Sequence, residues 1–308
     1  YGTDLTKVVN RRGRRGHREQ HSAPSAVSKI ETHIPVDTLP TLIIRSSASM
    51  LDDGSTKSNL GDLLRSGVIL ECIDSNYLWL TDELGKQLMR NFIPPEQLLT
   101  WQDLRLRALA LECDLAYNLD NFISDKQSWQ HLSIGEWRGF VPRDNQLVAS
   151  NDVLRETTAY RSVSDTRSWQ ESLVRGLGFE WQNQDYPKPL HPVPHCSDVG
   201  LNWRIHPDWV SKHWPKEHWE QLAELIEQAG MSVSWQQGEN ALDEYITWLS
   251  SCATVVSGES LGVHLASALR KQVIALTGPV SGREHPYDRL RIITPTQRAC
   301  MPCNAAQC

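Results

Sequence analysis

The chain has 308 residues, enough to bury two cores rather than one. Its 40% hydrophobic and 22% charged residues are ordinary for a soluble globular protein, and a net charge of −6 gives no global field that would draw nucleic acid. No apolar run approaches the ~20 residues of a membrane span and nothing has the make-up of a signal peptide, so the expected compartment is the cytoplasm. Residues 1–40 read as an irregular N-terminal lead-in. They hold one basic block, RRGRRGHR (Arg11 to Arg18), which is a solvated tail or a contact for an anionic surface such as the inner membrane face. The first strand is TLIIRS from Thr41, followed by a polar loop and then LGDLLRSGVILECI with helical spacing. YLWLTD (Tyr77 to Asp82) reads as a strand, ELGKQLMRNF as a helix, LTWQDLRLRALALE (Leu99 to Glu112) as one helix, and CDLAYNLD (Cys113 to Asp120) as a strand.

From Gln127 to Pro194 the pattern is indistinct, apart from GEWRGFVP and a polar helix around Asp165 to Gly176. PKPLHPVPH (Pro187 to His195) can continue neither helix nor strand and reads as a linker. The second half alternates clearly: DVGLNW strand, WPKEHWEQLAELIEQAG helix, MSVSWQ strand, ALDEYITWLSSC helix, ATVVS strand, VHLASALRK helix and QVIALTG strand. In the first of these helices Trp219, Leu222, Ala223 and Ile226 fall on one face, with Gly230 as the stop. The expected fold class is α/β: two doubly wound Rossmann-like domains facing a cleft, one over residues 41–190 and one over 195–308.

In such a fold, ligands bind beyond the carboxyl ends of the strands, where helices begin. The stretch VVSGESLGVHLASALRK (Val255 to Lys271) is such a place. The helix start offers N–H groups to an anion. Gly258 and Gly262 permit close backbone approach, and Ser260 can cap the helix or bond a phosphate oxygen. Glu259 suits a ribose or sugar hydroxyl better than a phosphate. The competing reading is a plain capped helix with His264 packed in it. Lys212, in SKHWP, sits at the same predicted sheet edge and could neutralise a leaving diphosphate, or be a solvated surface lysine. Asp62, in NLGDLL, begins the first helix of the first domain. It could take a proton across the cleft, or simply favour the helix dipole. GSTKS (Gly54 to Ser58) lacks phosphate-loop spacing and is discounted.

Seven cysteines are present. Cys72, Cys113 and Cys252 lie in apolar stretches and read as buried thiols. Cys300, Cys303 and Cys308 have C-x₂-C-x₄-C spacing, which suits a structural zinc or iron lacking one ligand; free thiols or a disulfide are the alternative. The twelve tryptophans read mostly as packing residues, with a few available as a sugar or base platform.

Taken together, GLNW…SKHWPKEHWEQLAELI, NALDEYITWLSSCATVVSGESLGVHLASAL and VIALTGP resemble glycosyltransferase family 9, the heptosyltransferase-like group with the GT-B fold. LIIRSS…LGDLLRS followed by LWLTD is similar to that family's start. The resemblance implies inverting transfer of a sugar, a heptose on an ADP-type donor, with no cofactor required for catalysis. It implies Asp62 as general base, Lys212 as the phosphate contact, and Glu259, Ser260, Leu261, Gly262 and His264 as the donor-binding helix start. The implied partners are a nucleotide-sugar donor and a glycan, lipid-linked glycan or protein acceptor, lipopolysaccharide core among them. Some members that modify autotransporter proteins look similar in carrying a cysteine-bound metal. Three departures stand out: Glu259 where the family more often has aspartate, a long stretch between Ser46 and Gly61, and no C-terminal helix after Cys308. A degenerate, non-catalytic scaffold and a GT-B nucleotide-sugar epimerase are the alternative functions.

Overall fold

The computed structural model describes residues 39–50, 56–106, 110–123, 125–144, 146–158, 167–191, 194–238, 241–279 and 287–294. The basic block at Arg11 to Arg18, Gly54 of the discounted loop, and Cys300, Cys303 and Cys308 lie outside the described residues.

The first sheet is built on β1 (Thr41–Ile44), whose Leu42, Ile43 and Ile44 are all fully buried, as expected of a strand covered on both faces. After β1 come a short hairpin, β2 (Ala48–Met50) and β3 (Thr56–Ser58), and then α1 (Leu60–Ser66). The alternation continues through β4 (Tyr77–Thr81), α2 (Glu83–Met89), β5 (Leu98–Thr100), α3 (Trp101–Arg105), β6 (Leu111–Asn118), α4 (Lys126–Trp129), β7 (Leu132–Arg143), β8 (Gln146–Ala149), α5 (Asp152–Thr158) and α6 (Trp169–Gly176). Strand order is β5-β4-β1-β6-β7-β8, parallel except for the β7–β8 hairpin. Ile43 and Trp79 face Leu63, Leu64 and Leu88 of α1 and α2. Leu42, Ile44 and Leu80 face the other way, toward Trp101 and Leu104.

The second sheet comprises β9 (Ser197–Asn202), α7 (Lys216–Gln228), β10 (Val233–Trp235), α8 (Leu242–Ser251), β11 (Cys252–Gly258), α9 (Leu261–Ala268), β12 (Gln272–Leu276) and β13 (Leu290–Ile293). Its strands are all parallel, in the order β10-β9-β11-β12-β13. Trp219, Ala223 and Ile226 of α7 cover one face, as the spacing predicts. The expected architecture of two doubly wound sheets facing a cleft is the one observed.

Several local readings are corrected. The helix expected over 99–112 is a strand, a short helix and the start of another strand. Thr100 and Asp103 form a capping box, Asp103 N donating to Thr100 Oγ1 at 3.1 Å and Thr100 N to Asp103 at 2.8 Å. This starts α3 at Trp101 and leaves Leu98–Thr100 to pair with β4. From Leu111 the burial alternates with period two, which fits a strand. The polar loop after Ser46 contains the β2–β3 hairpin, closed where Asn59 N donates to Ser47 O at 2.5 Å. GEWRGFVP belongs to the twelve-residue β7. Its Gly139, at φ 91°, has its missing Cβ position 2.1 Å from Asn118 O, so only glycine lets the two strands approach there. Cys72 is half-buried rather than buried, Cys196 is exposed, and Cys113 and Cys252 are buried. Burial pushes the Cys113 thiol up to about 12, which makes it inert near neutral pH.

Candidate active site

Each sheet reverses its strand order once, and those points face each other. In the first sheet the reversal lies between β1 and β6. There Arg45 Nη1 meets Asp120 at 3.1 Å and Leu119 O at 3.0 Å, and Asp120 accepts from Ser46 N at 2.9 Å. The pair is buried, with side-chain exposures of 8% and 1%. Asp82 holds the next residue, accepting from Ser47 N at 2.6 Å and Ser47 Oγ at 2.8 Å, and it also caps α2 through Gly85 N. Two carboxylates therefore fix the turn that launches the hairpin and α1.

Asp62 lies in the first turn of α1, where Asn59 is the cap and donates its amide to Asp62 as well. Arg65 Nη2 sits 2.6 Å from Asp62 Oδ1, and its guanidinium stacks 4.3 Å from the Trp169 ring. The carboxylate is half-buried and clamped in one orientation, with a cation alongside it.

In the second sheet the reversal lies between β9 and β11. Ser260 caps α9, its Oγ accepting from Gly262 N at 3.3 Å. Asn202, at the end of β9, donates to Ser257 Oγ at 2.7 Å and Ser260 Oγ at 3.2 Å, and accepts from Tyr245 OH at 2.9 Å. Glu259 is buried, at 6% exposure. Gly258 and Gly262 make room for the chain's own side chains. A Cβ on Gly262 would lie 2.1 Å from Asn202 Nδ2 and 2.6 Å from Tyr245 OH; one on Gly258 would lie 2.4 Å from Ile205 Cδ1. Gly262→Ala is therefore expected to cost about 1–3 kcal/mol by overpacking, measurable as a lower midpoint in denaturant at unchanged slope.

Lys212 ends a single 3₁₀ turn, Val210–Lys212, with its Nζ 4.2 Å from the Trp209 ring centre. Burial pulls its pKa below the usual lysine value, opposed chiefly by the charge of Glu259 and also by that of Asp62. Arg65 adds to the lowering. Charges from both halves of the molecule thus act on Lys212. Contact between the halves is direct: α1 packs on α9, and the missing Cβ of Gly61 would fall 2.9 Å from His264 Cδ2. His264 Nδ1 in turn is 2.7 Å from the hydroxyl of Tyr186. At the mouth of the cleft Lys57 of β3 reaches Asp208 at 3.3 Å. The structure accordingly brings Asp62, Lys212, Glu259, Ser260, Leu261, Gly262 and His264 to one place.

Sequence reasoning passed over the supports. Arg45, Asp82 and Asp120 were visible only as charges at strand ends. It also passed over a hollow of about 450 Å³ beyond β9 and β10, lined by Trp203, Arg204, Trp235, Gln236 and Lys216 among others. Arg204 stacks 4.9 Å from the Trp203 ring centre, and the two tryptophans were signalled only by the excess of that residue. Among the described residues, no cluster of three or more histidine, cysteine or acidic side chains could hold a metal ion, and no helix is long and apolar enough to cross a membrane.

No family model matches the chain. It is 27% identical, over 251 aligned residues, to lipopolysaccharide heptosyltransferase 1 of Pseudomonas aeruginosa, covering 59% of this chain and 70% of that protein. Its fold matches the Escherichia coli heptosyltransferase WaaC solved with ADP, at a TM-score of 0.55 and 13% identity over 83% of this chain and 93% of that one. It also matches a family 9 glycosyltransferase from Veillonella parvula, at a TM-score of 0.56 and 13% identity over 83% and 86%. The resemblance carried by the sequence motifs holds: the chain is heptosyltransferase-like, with the GT-B fold of the family 9 glycosyltransferases.

Proposed function

We propose that the chain is an inverting, metal-independent glycosyltransferase that moves a sugar, a heptose, from an ADP-linked donor to an acceptor hydroxyl. The observation that carries this is the meeting of two helix starts, α1 with Asp62 and α9 with Ser260 and His264, beside the cationic Lys212 loop. The donor lies against residues 195–308 and the acceptor against 41–190. Trp203 and Trp235 offer flat faces for the nucleoside in the hollow that Lys216 and Arg204 also line. The diphosphate then runs toward the first turn of α9, and Glu259 takes a sugar or ribose hydroxyl.

In the transfer step the acceptor oxygen attacks the anomeric carbon from the side opposite the diphosphate. The carbon–oxygen bond to the diphosphate breaks, its electron pair leaves on the diphosphate, and the acceptor proton passes to Asp62. Lys212 and the α9 N–H groups stabilise the departing charge. Because attack and departure are on opposite faces, the configuration inverts. The relatives' names, with heptosyl transfer and ADP among them, support this donor class. The acceptor is a lipopolysaccharide-core sugar, another glycan or a protein side chain. The reaction is placed in the cytoplasm, at or near the inner membrane face.

The decisive assay is nucleotide release from a panel of ADP- and UDP-linked sugars, with and without lipopolysaccharide-core acceptors. Turnover with ADP-heptose is expected to exceed turnover with UDP-sugars by at least about a hundredfold, as loss of built polar contacts to the wrong donor would impose. Equal rates, or none with any donor, would overturn the reading.

A further inference from the structure

Tyr186 lies in the segment joining the two sheets, yet it is fully buried. Its backbone is pinned where Arg270 Nη2 donates to Tyr186 O at 2.6 Å. The neighbouring Asp185 is gripped by Arg289 at 2.5 Å and by Arg270 at 2.8 Å. The ring packs against Tyr287, centroids 5.1 Å apart, and against His264 at 6.2 Å. Its hydroxyl is 2.7 Å from His264 Nδ1, and the Gln170 side chain hydrogen-bonds to the same phenol. Burial drives the pKa of the phenol far above the ordinary tyrosine value, against the pull of Arg65 and Arg289. The oxygen therefore keeps its proton, and a buried O–H needs an acceptor. His264 Nδ1, at 2.7 Å, is placed to accept it. The other edge of the imidazole, Cδ2 and Nε2, lies along Gly61, at 2.9 and 3.4 Å from the missing Cβ position.

We infer that Tyr186 is a positioning residue that donates to His264 Nδ1 and so holds the imidazole neutral, with its proton on Nε2 at the junction of α1 and α9. A fixed Nε2–H there is an oriented hydrogen-bond donor where two helix starts meet. Its target rests on the proposed glycosyl transfer: an oxygen of the donor diphosphate or of the transferred sugar. The tautomer itself does not depend on that reading. The motif VSGESLGVHLASAL contains the histidine but carries no sign of its partner, which comes from 78 positions earlier in the chain.

The test is a long-range ¹H–¹⁵N spectrum of the full chain labelled on histidine nitrogen, near neutral pH and without donor. The His264 signals are assigned by their loss in His264→Gln. Wild type is expected to show His264 with Nδ1 unprotonated and Nε2 protonated; in Tyr186→Phe both signals move toward the averaged positions of a tautomer mixture. If the reaction is as proposed, Tyr186→Phe also raises the donor KM about tenfold, the effect of one lost hydrogen bond, with a smaller change in kcat. A protonated Nδ1 in wild type, or an unchanged spectrum in a folded Tyr186→Phe, overturns the inference. Should Tyr186→Phe fail to fold, the wild-type spectrum still decides it. The expected spectrum together with no turnover on any donor would uphold the tautomer and reject the transfer.

Discussion

Asp62→Asn is expected to lower the rate of sugar transfer by about a thousandfold, within the range for loss of a positioned general base, while leaving the donor KM within a few-fold of wild type. Asparagine has nearly the same shape, so the contacts with Asn59 and Arg65 can be kept in altered form and the start of α1 preserved. What disappears is a second oxygen able to take the acceptor proton. Initial rates from nucleotide release, set beside thermal unfolding of both proteins, separate the chemical loss from a folding defect. A variant that kept wild-type turnover would reassign the base. Asp62→Ala should be at least as slow and, having lost the clamp with Arg65, less stable.

Lys212→Ala is expected to weaken donor binding by about a hundredfold and to slow transfer as well, because in the proposed reaction the cation serves both in the ground state and as charge develops on the departing diphosphate. The pH dependence follows from its half-buried position. Burial lowers the Lys212 pKa, Glu259 being the chief opposing influence. The charged form is therefore the less favoured one in the folded protein. It costs stability below the folded-state value, and that cost is relieved as pH rises through it. Donor binding has the opposite sign: affinity is full while Lys212 is charged and falls as pH rises through the lowered value, earlier than an ordinary lysine would allow. Titration calorimetry with the nucleotide diphosphate across the alkaline range should show this decline in wild type. In Lys212→Arg the decline should be absent, since guanidinium stays charged throughout. An alkaline limb unchanged in that variant would place the titrating group elsewhere.

How much of this was legible in the sequence depended on how locally each feature is encoded. The second sheet was readable almost strand by strand because Val255 and Val256, or Trp219 with Ala223 and Ile226, declare their period within one element. The helix start at Ser260 was legible for the same reason, since a cap and its glycine lie two residues apart. What failed was encoded at a distance. The strand Leu98–Thr100 exists because β4 lies beside it, and β7 tolerates Gly139 because Asn118 O comes close to it. Nor does any local pattern show that Ile205, Asn202 and Tyr245, all remote in sequence, pack beside the glycines at 258 and 262. The pairing of Arg45 with Asp120 spans 75 positions, and no local pattern announces it.

The apolar cluster that begins under β1 does not stop at the cleft. Ile43, Leu63 and Trp79 from one half and Val255, Val263 and Leu265 from the other belong to a single contiguous group that includes Tyr186 and Tyr287. Swinging the halves apart like a jaw would wet that group at about 25 cal/mol for every Å² exposed. The exposed Lys57–Asp208 pair at the cleft mouth is by contrast worth at most about 1 kcal/mol. The described contacts between the halves are thus strong where they are buried and apolar and weak where Lys57 of β3 meets Asp208.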